Sequence, residues 1–146
     1  MTQEDKKLLL KDLIARLPYG VKIALKNSWS YHHENVAKKG DVTIDRLKGF
    51  TGSYFTIYHD NPLDWDWYES DIDIEDIKPY LFPLSSMTEE QEEEYNTMYE
   101  ENRYSWRDNI IDWFDRNHFD YRGLIGKGLA IDATNLNIYK DYAKFD

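Results

Sequence analysis

Leu9, Leu10, Leu13, Ile14 and Leu17 recur at the spacing of one helical face near the start of the chain. Thr2, with Asp5 three residues on, resembles a capping box, so a helix is predicted to begin there. Pro18-Tyr19-Gly20 stops it, because proline cannot continue the hydrogen-bond ladder and glycine permits a left-handed turn. The period then changes to two. Val21, Ile23 and Leu25 alternate with Lys22, Ala24 and Lys26, which predicts a half-buried strand with a basic outer face. The polar stretch through Tyr31, His32, His33 and Lys38-Lys39-Gly40 reads as a loop. Val42 and Ile44 alternate with acids and Thr43, and Tyr54 to Tyr58 is a β-branched and aromatic run, so two more strands are expected. After the break at Asn61-Pro62, the even spacing of Trp65, Trp67, Ile72 and Ile74 suggests one or two strands between about 65 and 75.

The second half returns to helical spacing. Thr88 with Gln91 is another capping-box candidate, and Glu89, Glu90, Glu92 and Glu93 crowd the first turns, where the helix dipole favours negative charge. Tyr95, Met98 and Tyr99 leave a narrow apolar stripe, which places this helix on the surface. Trp106, Ile110, Trp113 and Phe114 specify a stronger helix against the core, with Asn117 as its left-handed stop. Short sequential strands with tight connections favour antiparallel pairing. The reading is one α+β domain over residues 1–146: a four- or five-stranded antiparallel sheet packed by the N-terminal helix and C-terminal helices.

Charge sharpens this picture. The 146 residues carry 18 Lys/Arg and 28 Asp/Glu, a formal net charge of −10. Residues 1–48 hold 10 basic and 6 acidic side chains, residues 49–103 hold 2 and 15. Nonspecific nucleic-acid binding needs a basic surface, so direct contact with nucleic acid is not expected. The absence of cysteine excludes a disulfide scaffold, a thiol nucleophile and a thiolate zinc site. No apolar run approaches the roughly 20 residues of a membrane span, and no secretory signal is visible, so a soluble cytoplasmic protein is expected.

Three constellations invite chemistry, and each has a plainer reading. Residues 64–76 are rich in acids, yet an EF-hand loop needs a turning glycine at its sixth position and this stretch contains no glycine; Asp71 and Asp73 fit a solvated strand face. His32 and His33, His59 beside Asp60, and His118 near Asp120 match no metal-ligand spacing, and no nucleophile elbow accompanies them. The glycines of Arg122-Gly123-Leu124-Ile125-Gly126-Lys127-Gly128 depart from a phosphate loop, since Lys127 is followed by Gly128 instead of Ser or Thr. Turn punctuation accounts for them, with Arg122 and Lys127 as a candidate anion contact.

Residues Ile74-Glu75-Asp76-Ile77-Lys78-Pro79-Tyr80-Leu81-Phe82-Pro83-Leu84-Ser85-Ser86-Met87-Thr88 and His118-Phe119-Asp120-Tyr121-Arg122-Gly123-Leu124-Ile125-Gly126-Lys127-Gly128-Leu129-Ala130 resemble a family of small acidic proteins of gut Bacteroidetes, their phages and mobile elements. The resemblance implies a bacterial or phage setting and an accessory role, and it carries over no catalytic residue. Physically, Pro79 and Pro83 bracket a non-helical segment whose Tyr80, Leu81 and Phe82 are expected on the core. Tyr121 and Leu124 are expected to pin the exit of the last helix, with Arg122 paired to Asp120 or Asp115.

The functional expectation is a non-enzymatic protein that binds a protein partner of basic character, or a second copy of itself, without cofactor or metal. Trp65, Trp67, Tyr95, Tyr99, Arg122 and Lys127 are its candidate contact residues, because acids interleaved with aromatics suit a basic surface. Two alternatives are a nucleotide- or small-molecule-binding, sponge-like anti-defence protein using aromatic stacking with Arg122 and Lys127, and a metal-dependent hydrolase using Asp71, Asp73, His59 or His118.

Overall fold

In a computed structural model of the protein the described residues are 1–25, 43–51, 54–59, 67–70, 74–101, 106–136 and 138–139. The expected loop through His32 and His33 lies outside them. Helix α1 (Gln3–Arg16) starts as its cap predicts: Thr2 Oγ1 accepts the backbone N–H of Asp5 at 3.0 Å. A 3₁₀ turn over Leu17–Tyr19 and a left-handed Gly20 at φ 66° end it.

The strands are β1 (Lys22–Leu25), β2 (Thr43–Thr51), β3 (Tyr54–His59), β4 (Trp67–Ser70), β5 (Ile77–Leu81) and β6 (Ile131–Asp132). Their order in the sheet is β4-β3-β2-β1-β5-β6. β1 to β4 form an antiparallel meander, and β5 pairs antiparallel with the other side of β1. The α+β reading holds, with two corrections: the sheet has six strands instead of four or five, and it is mixed, because β6 runs parallel to β5, Tyr80 opposite Ile131 and Leu81 opposite Asp132. Ile74–Asp76 also departs from expectation, forming a 3₁₀ turn where a strand was predicted.

Helix α2 (Glu89–Glu101) is capped by a reciprocal pair, Thr88 N–H to Gln91 Oε1 at 2.9 Å and Gln91 N–H to Thr88 Oγ1 at 3.2 Å. Helix α3 (Trp106–Arg116) ends before Asn117, but the left-handed position comes one residue after it. His118, at φ 62°, takes the left-handed position; its N–H bonds Asp115 C=O and the Phe119 N–H bonds Phe114 C=O at 2.9 Å. This is a Schellman closure, sealed by the Phe114–Phe119 ring contact.

The main core joins Leu9 and Leu13 of α1 to Val21, Ile23, Ile77, Leu81, Leu124 and Leu129. A second cluster unites Ile110, Trp113 and Phe119 with Phe82, Tyr95, Met98 and Phe114, so α3 is packed against α2 and the end of β5. The third holds Ala24, Tyr80, Ala133 and Ile138, with Phe82, Ile131 and Tyr139 against it. It corrects the reading of β1. The pattern predicts an outer face for Lys22, yet it is 4% exposed, because Ala133, Ile138 and Tyr139 pack over that face. The Lys22 ammonium donates to Ile138 C=O at 2.6 Å, which lets a cation sit beneath that cover.

Candidate functional site

A groove of about 780 Å³ lies between α2 and α3. Glu90, Glu93, Glu94, Thr97 and Met98 line it from α2, and Trp113, Arg116 and Asn117 from the end of α3. Helical spacing explains the composition: positions i, i+3, i+4, i+7 and i+8 of α2 share the face turned to α3. α2 contains seven glutamates and no Lys or Arg, and none of its residues is buried. Trp113 ties the walls together, its indole N–H donating to Glu94 Oε2 at 3.1 Å. Tyr95 stacks on Phe114 with ring centres 6.0 Å apart. Arg116 is the single basic side chain in the lining.

A second polar assembly is buried and closed. Asp12 and Arg16, both wholly inaccessible, bond through Arg16 Nε and Asp12 Oδ2 at 2.9 Å. Arg122 Nη1 reaches the other Asp12 oxygen at 2.7 Å, and Arg16 Nη2 donates to Phe119 C=O at 2.5 Å. The Tyr121 ring lies beneath both guanidiniums, 4.4 Å from Arg122 Cζ and 5.5 Å from Arg16 Cζ. Asp115 Oδ1 stands 3.9 Å from each arginine. Burial pushes the Asp115 carboxyl up, against the pull of Arg16, Tyr121 and Arg122. Burial also pushes the Tyr121 phenol up to about 12. This assembly anchors α1 to the chain after α3.

Comparison of the chain with protein-family models, curated proteins and solved structures gives no match in any of the three. The site therefore rests on its own geometry.

The candidate residues divide accordingly. Tyr95 and Tyr99 lie on α2; Tyr95 is half-buried in the α2–α3 contact and Tyr99 is 53% exposed. Trp67 is on β4, whose backbone alone is described, and Trp65 lies outside the described residues. Arg122 is turned inward to Asp12 at 2.7 Å and also pairs with Asp115, one of its two expected partners, at 3.9 Å. Asp120 instead accepts the N–H groups of Leu124 at 2.8 Å and Ile125 at 2.9 Å. A nest of amides that an anion would use is thus filled by the chain's own carboxylate. Gly123 at φ 75° permits that turn. Lys127 lies half-exposed, 3.9 Å from Asp5. Arg122 and Lys127 are thus each paired with an acid of α1, Asp12 and Asp5.

Of the hydrolase candidates, Asp71 and Asp73 lie outside the described residues, and His59 is placed by backbone only. His118 is packed away with no hydrogen bond to Nδ1, and burial, aided by Arg16 and Lys22, pushes its imidazole down to about 3. Among the described residues no three His or carboxylate side chains gather as a metal set, and no helix is long and apolar enough to cross a membrane. The acids of α2 and the aromatics of α3 were each legible in sequence. Their confrontation across the groove was not, because nothing local sets how two helices cross.

Proposed function

We propose that the protein is a non-enzymatic accessory protein that binds a basic protein partner through the α2–α3 groove. The observation carrying this reading is the pairing of a helix whose charged residues are all acidic, α2, with an open groove whose lining includes Trp113 and Met98. Acidic walls steer a cationic segment inward, and aromatic and thioether surface supplies contact once it is desolvated. Seven glutamates on one short helix that has no Lys or Arg of its own repel one another, which a cationic partner relieves. The setting proposed for this role is the cytoplasm of a bacterium carrying the mobile element or phage that the family resemblance implies.

Titration calorimetry with a Lys/Arg-rich amphipathic helical peptide tests the site. Reversal of two groove acids, Glu90→Lys with Glu93→Lys, is expected to weaken binding about tenfold, whereas reversal of Glu100 and Glu101 outside the groove lining weakens it by clearly less. Equal losses from the two pairs would show that only net charge matters and would remove the groove as the contact surface.

A further inference from the structure

At the end of the β1–β5 ladder a side-chain hydroxyl bonds to backbone groups of both strands. The register pairs Leu25 with Ile77, Ala24 with Lys78 and Ile23 with Pro79, so Lys22 and Tyr80 come next. Between them sits the Tyr139 hydroxyl. It accepts the Lys22 backbone N–H at 2.9 Å and donates to Tyr80 C=O at 2.7 Å. Only a group that both gives and takes a hydrogen bond satisfies that pair, and a hydroxyl does so with one atom. The ring is gripped as well. It stacks on the His118 imidazole, with centres 3.8 Å apart and planes 12° apart, and meets Phe82 at 5.7 Å. The Lys22 ammonium stands 5.9 Å from the ring centre.

His118 holds its stacking position from the left-handed seat at the end of α3, a conformation that L residues other than glycine adopt at a cost. The slot is therefore built from three separate parts of the chain: the β1 and β5 strands and the α3 terminus. Phe82 completes it where β5 continues into its bridge with Phe119.

We propose that this is a phenol-recognition slot, which the chain fills with its own Tyr139 as a tethered ligand and which takes a para-alkylated phenol when Tyr139 is removed. The hydroxyl is read by the two backbone groups and the ring by His118 and Phe82, so an arene without the hydroxyl is a poor substitute. Nothing in the slot depends on the α2–α3 groove, and the two readings fail separately.

The test is chemical rescue in the full chain. Tyr139→Gly empties the slot, and p-cresol and toluene at equal concentration are compared for their effect on its Tm. The expected result is a rise with p-cresol about twice or more that with toluene, and no rise for the wild-type protein, whose slot is filled. Equal rises with the two arenes, or none with p-cresol, overturn the proposal. Tyr139→Phe supplies a second arm that keeps the ring. Its Tm is expected to fall below that of wild type, and a Tyr139→Phe protein as stable as wild type also overturns the reading, whether or not Tyr139→Gly folds.

Discussion

Asp12 and Asp115 stand beside the same two arginines and differ in what they do there. Asp12 receives short bonds from Arg16 and Arg122, one on each oxygen, while the nearer Asp115 oxygen lies 3.9 Å from both. Breaking a buried pair leaves charge without compensation, so Asp12→Asn is expected to destabilise by about 3–5 kcal/mol, and Asp115→Asn by about 1 kcal/mol or less. Denaturant unfolding of both variants measures the contrast, and equal losses would contradict it. His118 gives a pH signature. Its folded pKa, about 3, lies below the ordinary value of 6.5, so the unfolded chain takes up the proton first as pH falls. Stability from this group is complete above pH 6.5 and declines between there and pH 3 by about 1.4 kcal/mol per unit at most. Asp115, raised by burial, acts in the opposite sense: its contribution is present in acid and lost as pH rises. His118→Asn keeps a residue that tolerates the left-handed backbone and removes the imidazole. The stability gap between it and wild type is expected to narrow on acidification from pH 6.5 toward 3, as followed by Tm.

At the scale of elements, α1 and α2 rest on different supports. α1 inserts Leu9 and Leu13 into the main core; α2 has no buried residue and depends on its cap and on the Tyr95–Trp113–Phe114 contacts. Thr88→Ala is expected to cost about 1 kcal/mol, and it should speed amide exchange in the first turn of α2 while leaving α1 unchanged. Local signals explain what was legible. Thr2, Pro18 and Gly20 bound α1, and Thr88 with Gln91 opens α2, because caps act within a few residues. The exit of α3 was read one residue early, since Asn117 is the commoner left-handed residue but the Phe114–Phe119 contact sets the closure at His118. β6 carries two residues, too few for a period to show. The burial of Lys22 was beyond local reading, because its cover comes from residues more than a hundred positions along the chain. Arg122 was seen as a candidate for chemistry, and the distant Asp12 that claims it was not.

For the whole molecule, charge separates what salt can reach from what it cannot. The net charge of −10 and the glutamates of α2 face water, where screening acts within about 10 Å at 0.1 M salt. The Asp12–Arg16 pair is sealed from solvent. Raising salt from about 0.01 to 0.15 M is therefore expected to increase Tm by relieving repulsion among the acids. Reversing Glu90 and Glu93 to lysine should flatten that response, whereas Asp12→Asn should lower Tm without altering its salt slope. Scanning calorimetry across ionic strength distinguishes these outcomes.

The bridge that Tyr139 makes between Lys22 and Tyr80 also orders events in time. During synthesis β1 leaves the ribosome early, while Ile138 and Tyr139, which cover it, follow only after every other described segment has emerged. Until then one side of the strand lacks its roof, and the nascent protein carries an unsealed seam for a chaperone to guard or a neighbouring chain to invade. Closing the sheet is thus a late act of biogenesis, with a single hydroxyl as its latch.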